Sequence, residues 1–223
     1  MKARVQHAFA DWGRGALGAT LGIGLTALAS AVLLGRVAPG LPLIVASMGA
    51  SAVLVFVRPA SPFSQPWPVI GGNVIAGLAG LLAGRVTGQM AGGPMLACAL
   101  AVGLTIAGMS LLRALHPPGG GTALVYALGA TGSDQWGWYY LTPLVVNVAL
   151  LAASGWLYNN LTGHSWPHRM EVPVPPRMPY GLPPVSRDHV EAVLADWTEA
   201  IDVDEDDLLA FIQAVERQRA RKP

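Results

Sequence analysis

The stretch RALHPPGGGTALVYALG, Arg113 to Gly129, decides how the rest of this 223-residue chain is read. It opens with an arginine, reaches a histidine, sets two prolines side by side and follows them with three glycines, all inside a strongly apolar sequence. Prolines remove backbone donors and clash with the preceding turn, while glycines accept angles that other residues avoid. An ordinary membrane helix carries no such run. The stretch therefore predicts a broken backbone.

Composition places that break in a membrane. The chain is 52% apolar and 12% charged, too apolar for an ordinary soluble domain. Five uncharged segments, 17–34, 41–57, 69–84, 94–112 and 139–161, approach the ~20 residues that cross a bilayer, and a sixth, 117–130, is too short to span as a regular helix. The first segment has signal-peptide features, with Lys2, Arg4 and Arg14 ahead of it and Ala27-Leu28-Ala29 within it. Its apolar run exceeds the usual ~7 to 15 residues of a signal core, so it reads as a span. Cys98 lies in an apolar segment and reads as a small packed residue.

Charge divides the chain into two materials. Up to Met170 there are eight Lys and Arg against two acids, Asp11 and Asp134, and the other eleven acids fall at Glu171 and beyond. Domain 1–168 is accordingly the transmembrane part, 169–185 a Pro-rich extended linker and 186–223 an acidic helical tail. Ser186 and Asp204 are suited to cap two amphipathic helices in that tail, one carrying Val190, Val193, Leu194, Trp197 and Ile201, the other Leu208, Phe211, Ile212 and Val215. The run DVDEDD lacks the glycine and the final glutamate of a calcium loop.

Three internal matches occur in the same order. Gly24-Leu25-Thr26 aligns with Gly103-Leu104-Thr105, GASAVLVF from Gly49 aligns with GGTALVYA from Gly120, and Asn73 pairs with Asn147. A duplicated unit of three segments implies halves of opposite orientation. The expected fold is an all-α membrane protein of about six transmembrane elements, one of them short or broken at His116-Pro117-Pro118, arranged as an inverted repeat of three plus three. Basic residues at both ends place the N- and C-termini in the cytoplasm.

A broken backbone at membrane depth must be covered by protein or line water. Amides freed at a half-helix start attract anions, and between Gly15 and Gly163 the only charged side chains are four arginines and Asp134. The expected substrate contacts are His116, Gly119, Gly120, Gly121 and Thr122 at the break, Ser51 and Gly49 in the matching stretch, Asn73, Asn147 and the attracting Arg113, with His116 the titrating group beside the pathway. Each has a duller alternative: His116 as a packed or capping residue, Asn73 and Asn147 as helix neighbours. Ala76, Gly80 and Gly84 read as a packing face, and Trp67, Trp136, Trp138, Tyr139 and Tyr140 as interfacial anchors. The only acid a Ser-His-Asp hydrolase could use is Asp134, so no enzyme is expected, and the membrane segments supply no second histidine and no well-placed thiolate or carboxylate, so no metal is expected; no cofactor is expected either.

The segments LHPPGGGTAL, GASAVLVF and SPFSQPWPVIGGN together resemble the HPP family of integral membrane proteins, named for the motif that stands here at His116-Pro117-Pro118. The resemblance covers roughly residues 14–161. It implies a membrane domain usually described with four helices, fewer than the six elements counted above. Some plant and cyanobacterial members are associated with nitrite transport, and others carry regulatory CBS domains that this chain does not match. The combined expectation is a channel or transporter for a small inorganic anion, nitrite favoured, in a bacterial inner (plasma) membrane. The alternative is a membrane anchor or sensor whose tail binds a cytoplasmic partner. The partners expected of the chain are the small inorganic anion and membrane lipid, with a homo-oligomer left open and no nucleic acid.

Overall fold

The computed structural model describes residues 2–37, 41–88, 90–169, 185–196 and 203–221, and among these every regular element is a helix. They form two compact units, Met1–Pro167 and His168–Pro223.

The first unit holds six helices: α1 Lys2–Val37, α2 Met48–Val57, α3 Asn73–Thr87, α4 Gly93–Leu111, α5 Gly119–Thr131 and α6 Leu141–Leu161. A widened turn, Pro68–Gly72, leads into α3. Four stretches are long and apolar enough to cross a membrane: Trp12–Gly35, Pro68–Thr87, Gly93–Leu111 and Trp138–Leu161. With ten and thirteen residues, α2 and α5 are too short to do so alone.

The expected span 41–57 is therefore corrected, because its helix begins only at Met48. A side chain distant in sequence takes over the backbone bonds ahead of it. Asn147 on α6 accepts from Val45 N at 2.7 Å and donates to Leu43 O at 3.0 Å. Its Nδ2 also reaches Ser30 Oγ on α1 at 2.9 Å. One amide thus holds residues 43–45 in non-helical form against two helices.

The second break follows local chemistry. Arg113 has φ 51°, a left-handed angle that few residues other than glycine adopt. Ala114 N then bonds Met109 O at 2.8 Å and Arg113 N bonds Ser110 O at 3.3 Å, the paired bonds of a Schellman helix end. Pro117 and Pro118 follow, and α5 restarts at Gly119.

Small residues at helical spacing let α3 and α5 touch backbone to backbone, as the Ala76, Gly80 and Gly84 stripe predicts. A carbon added to Gly80 would lie 2.6 Å from Ala123 O and 2.7 Å from Tyr126 Cβ. Phe56, Leu81, Tyr126, Leu144 and Leu151 fill the core between α2, α3, α5 and α6. Trp136 and Tyr140, read as interfacial anchors, are half-buried and pack against this core: their rings stack at 4.6 Å, and Trp136 meets Tyr126 edge-on at 5.5 Å.

The second unit contains α7 Arg187–Asp196 and α8 Glu205–Arg221. Ser186 and Asp204 stand at their starts as the sequence predicts: Val190 N bonds Ser186 O, and Asp206 N bonds Asp204 Oδ1 at 2.9 Å. Most of the linker, with Trp197 and Ile201, lies outside the described residues.

Candidate functional site

The starts of α2 and α5 meet. Ser47 Oγ lies 2.7 Å from Thr122 Oγ1, and both residues are buried. From this junction the helices run in opposite directions. Alongside α6, the α2 chain passes from Val45 beside Asn147 to Val55 beside Asn159. Alongside α3, the α5 chain passes from His116 beside Gly72 to Ala130 beside Gly84. Because α3 and α6 are antiparallel, with Gly77 packed on Leu144 and Leu141, the two short helices point to opposite ends of the unit.

A directed chain of hydrogen bonds fixes the junction. Asn73 Nδ2 donates to Val69 O at 2.9 Å, and a carbonyl can only accept, so the orientation of this amide is set. Its Oδ1 then accepts from Thr122 Oγ1 at 2.6 Å, and its Nδ2 also donates to Ser51 Oγ at 3.2 Å. With the Thr122 proton committed, Ser47 donates to Thr122. At the other end His116 Nδ1 faces Phe63 O at 2.8 Å and must carry a proton there, so in the neutral ring Nε2 accepts from Ser51 Oγ at 2.9 Å. The direction runs from Ser47 through Thr122 and Asn73, and from Asn73 through Ser51 and His116 to a backbone carbonyl.

This bonding redistributes the roles expected from sequence. Ser51, Thr122, Asn73 and His116 come together, but their protons hold one another, so they brace the junction and are not free to hold an ion. His116, expected as the titrating group beside the pathway, has both ring nitrogens occupied. Asn147 braces residues 43–45 in its own network, apart from the Asn73 chain. Arg113 is exposed and serves as the left-handed turn residue that ends α4. Gly119 is packed beneath Met109 and Gly72, whereas Gly49 and Gly120 have no neighbouring atom within 4 Å of an added carbon.

Backbone amides make the remaining polar surface. Met48, Gly49 and Ser51 N bond Val45, Ala46 and Ser47 O at 2.9, 3.3 and 3.2 Å. Gly119, Gly120 and Thr122 N bond His116, Pro117 and Pro118 O at 2.9, 3.0 and 3.2 Å. The two turns match donor for donor. In each, one first-turn amide has no backbone acceptor among the described residues: Ala50 and Gly121. Both residues are exposed on the open side of the junction, where a carbon added to Gly121 would lie 3.8 Å from Ser47 Cβ. We call this line of contact between the starts of α2 and α5 the seam.

Arginines attend the far ends of both short helices, a placement that the sequence reading did not assign. Arg14 Nη2 donates to Phe56 O at 2.9 Å and Nη1 to Asn159 Oδ1 at 3.1 Å, while Asn159 Nδ2 donates to Val55 O at 2.9 Å. Positive charge there suits the negative end of α2. Past the other end, Arg85 lies over the Trp138 ring at 4.4 Å and lines a recess of about 360 Å³ with Ala130, Thr131 and Gln135. The positive helix ends meet at the junction, while at the far ends Arg14 bonds a last-turn carbonyl of α2 and Arg85 lines a recess beside the end of α5.

Comparison with known proteins follows the same boundary. The family described as HPP, transmembrane region, matches residues 4–167. A transmembrane protein of Dictyostelium discoideum is 34% identical over 116 residues, which cover 51% of this chain and 37% of the relative. A second transmembrane protein of that organism is 33% identical over 119 residues, covering 52% of this chain and 41% of the relative. The matched stretches thus span about two-fifths of those relatives' length. No solved structure matches the chain.

Proposed function

This chain belongs to the HPP transmembrane family, and from that premise we propose that it passes a small inorganic anion, nitrite being favoured, through the membrane along the seam between α2 and α5. The observation that carries the proposal is the convergence of two helix starts, each with an amide lacking a backbone acceptor, at a place where the nearest described side chains include no carboxylate. Each helix start carries roughly half a positive charge, and the amides can replace part of an anion's hydration shell. Movement is passive and channel-like, since no carboxylate lies in a spanning segment and His116 is tied at both nitrogens.

In the same proposal, six elements cross the membrane as an inverted repeat of three plus three, each half built of a long helix, a broken element and a second long helix. Three matched features support it. The turns before α2 and α5 have the same donor spacing, Asn147 holds the residues ahead of α2 while Asn73 accepts from Thr122 in the first turn of α5, and Thr26 and Thr105 are both buried with hydroxyls lacking a partner among the described residues. In the same proposal the membrane is a bacterial inner membrane and both termini are cytoplasmic, the orientation being supported by the basic residues at both ends.

The anchor or sensor alternative draws on one observation in the second unit. Val185, His189, Val190, Val193, Leu194, Leu208 and Ile212 line an apolar groove of about 380 Å³. Deleting residues 186–223 separates the two. Under the channel proposal, the truncated protein, reconstituted in liposomes and assayed over a panel of small anions, keeps the full-length flux. Loss of flux from a truncation that inserts and purifies normally assigns the tail to the pathway itself.

A further inference from the structure

We propose that α8 pairs antiparallel with the α8 of a second copy of this chain, so that the second unit joins two protomers. The inference rests on the second unit alone and on no reading of the membrane pathway.

The hairpin of α7 and α8 buries one face of α8 and leaves the other open. Leu209 and Gln213 are buried, and Gln213 Nε2 donates to Val185 O, just ahead of α7, at 3.1 Å. The other face carries Phe211, 68% exposed, and Val215, 44% exposed. Leu208 is half-buried one turn before Phe211, and Gln218 is exposed one turn after Val215. Positions 204, 208, 211, 215 and 218 therefore recur at alternating steps of four and three, the spacing of a coiled-coil seam. The apolar groove beside it, lined by Leu208 and Ile212 from α8 and by Val193 from α7, widens the surface available to a second helix.

Charge says which helix that is. In the heptad frame set by this spacing, the flanking positions are Glu205, Ile212 and Arg219 on one side and Asp207, Ala214 and Arg221 on the other. Each side thus runs from acidic through uncharged to basic. In an antiparallel two-fold pair centred near residue 213, each side faces its own copy, so Glu205 falls opposite Arg219, Asp207 opposite Arg221, and Ala214 opposite Ala214, while Phe211 meets Val215 in the seam. A parallel pair would gather both acidic starts at one end and both basic ends at the other, like charge beside like charge.

Neither end is neutralised within its own chain. Arg187 on α7 is shared among Glu191, Glu205 and Asp206, one cation against three carboxylates, and His168 lies 3.0 Å from Asp207. The start of α8 stays net negative. At its end, Arg217, Arg219 and Arg221 outnumber Glu216. A helix of 17 residues makes a short seam. All copies insert the same way round, however, so the membrane holds their tails at one surface and raises their effective concentration.

Cross-linking of the full chain in membranes tests the pairing. In a Cys98→Ala background, Ala214→Cys sits beside the two-fold, whereas two copies of Gln218→Cys lie about 15 Å apart along the helix axes at the rise of ~1.5 Å per residue. Both positions are exposed. A short bis-maleimide is expected to give a covalent dimer from Ala214→Cys and none from Gln218→Cys. Charge reversal supplies the second arm. Added to Ala214→Cys, either Glu205→Lys with Asp207→Lys or Arg219→Glu with Arg221→Glu should abolish the linked dimer, and co-expressing the two reversed forms should restore it, because acid then meets base at both ends. Equal linkage through both cysteines, no linkage through Ala214→Cys, or linkage that survives charge reversal overturns the proposal. So does a mixture of the two reversed forms that fails to recover the dimer.

Discussion

Gly80→Val is expected to unfold the first unit or leave it without a stable α3–α5 contact. The added carbon would sit 2.6 Å from Ala123 O, 2.7 Å from Tyr126 Cβ and 3.0 Å from Ala127 N, and two of those three atoms are backbone of a rigid helix. A flexible side chain could swing aside, but helix backbone cannot, so the two helices must part. Overpacking typically costs about 1–3 kcal/mol, and separation of this pair reaches the upper end or beyond, because it also pulls Thr122 from Asn73. Thermal unfolding in detergent measures the effect. Gly24→Val is the control, since Gly24 is exposed on α1 and a carbon added there meets nothing within 4 Å. A Gly80→Val protein as stable as the control contradicts the helix contact described here.

Asn73→Leu is expected to have the next largest effect, of a different kind. Leucine approximates the volume but leaves the Thr122 hydroxyl without its acceptor and removes the amide donor to Ser51, both in buried surroundings. Each stranded buried group costs about 1–3 kcal/mol. Because α3 has its own backbone bonds, helix content should survive while the junction loosens. The expected outcome is near-native circular dichroism, a lowered melting temperature and loss of anion flux. Asn73→Leu with wild-type stability and flux contradicts the directed bond chain. Asn147→Leu, by the same logic, should release residues 43–45 and leave the Asn73 chain intact.

The two breaks differ in how far sequence could reveal them. The one at Pro117-Pro118 is written in local chemistry, since proline and glycine act on their own turn. The one at residues 41–47 is enforced by Asn147, roughly a hundred positions away, and an apolar stretch such as 41–57 looks like any other span until that side chain is placed. The Ala76, Gly80 and Gly84 contact was legible because helical spacing alone sets which residues share a face. Hydroxyl direction was not. That Ser51 and Thr122 spend their protons within the protein depends on Asn73 Nδ2 meeting Val69 O, which orients an amide whose two ends look alike in sequence. Arg14 likewise read only as an orienting charge, because the Phe56 carbonyl it holds becomes an available acceptor only when α2 ends there. The aromatic residues Trp136 and Tyr140 show a similar limit: amphipathic rings suit the membrane surface, and the stacking of the two rings and the edge contact of Trp136 with Tyr126 are set by the fold.

Anion flux through the seam is measured most directly with nitrate in proteoliposomes, because nitrate stays ionised whereas the neutral acid of nitrite crosses lipid unaided. Wild-type protein, Gly24→Val and Gly121→Val are compared against empty vesicles. The Gly121 substitution puts its Cβ 3.8 Å from Ser47 Cβ, an ordinary contact on an exposed face, so the protein should insert and remain folded. The expected result is nitrate entry down its gradient for wild type and Gly24→Val, with Gly121→Val reduced to the rate of empty vesicles. Unimpaired nitrate entry through a folded Gly121→Val protein, or no entry of any small anion through wild type, contradicts an anion pathway between α2 and α5.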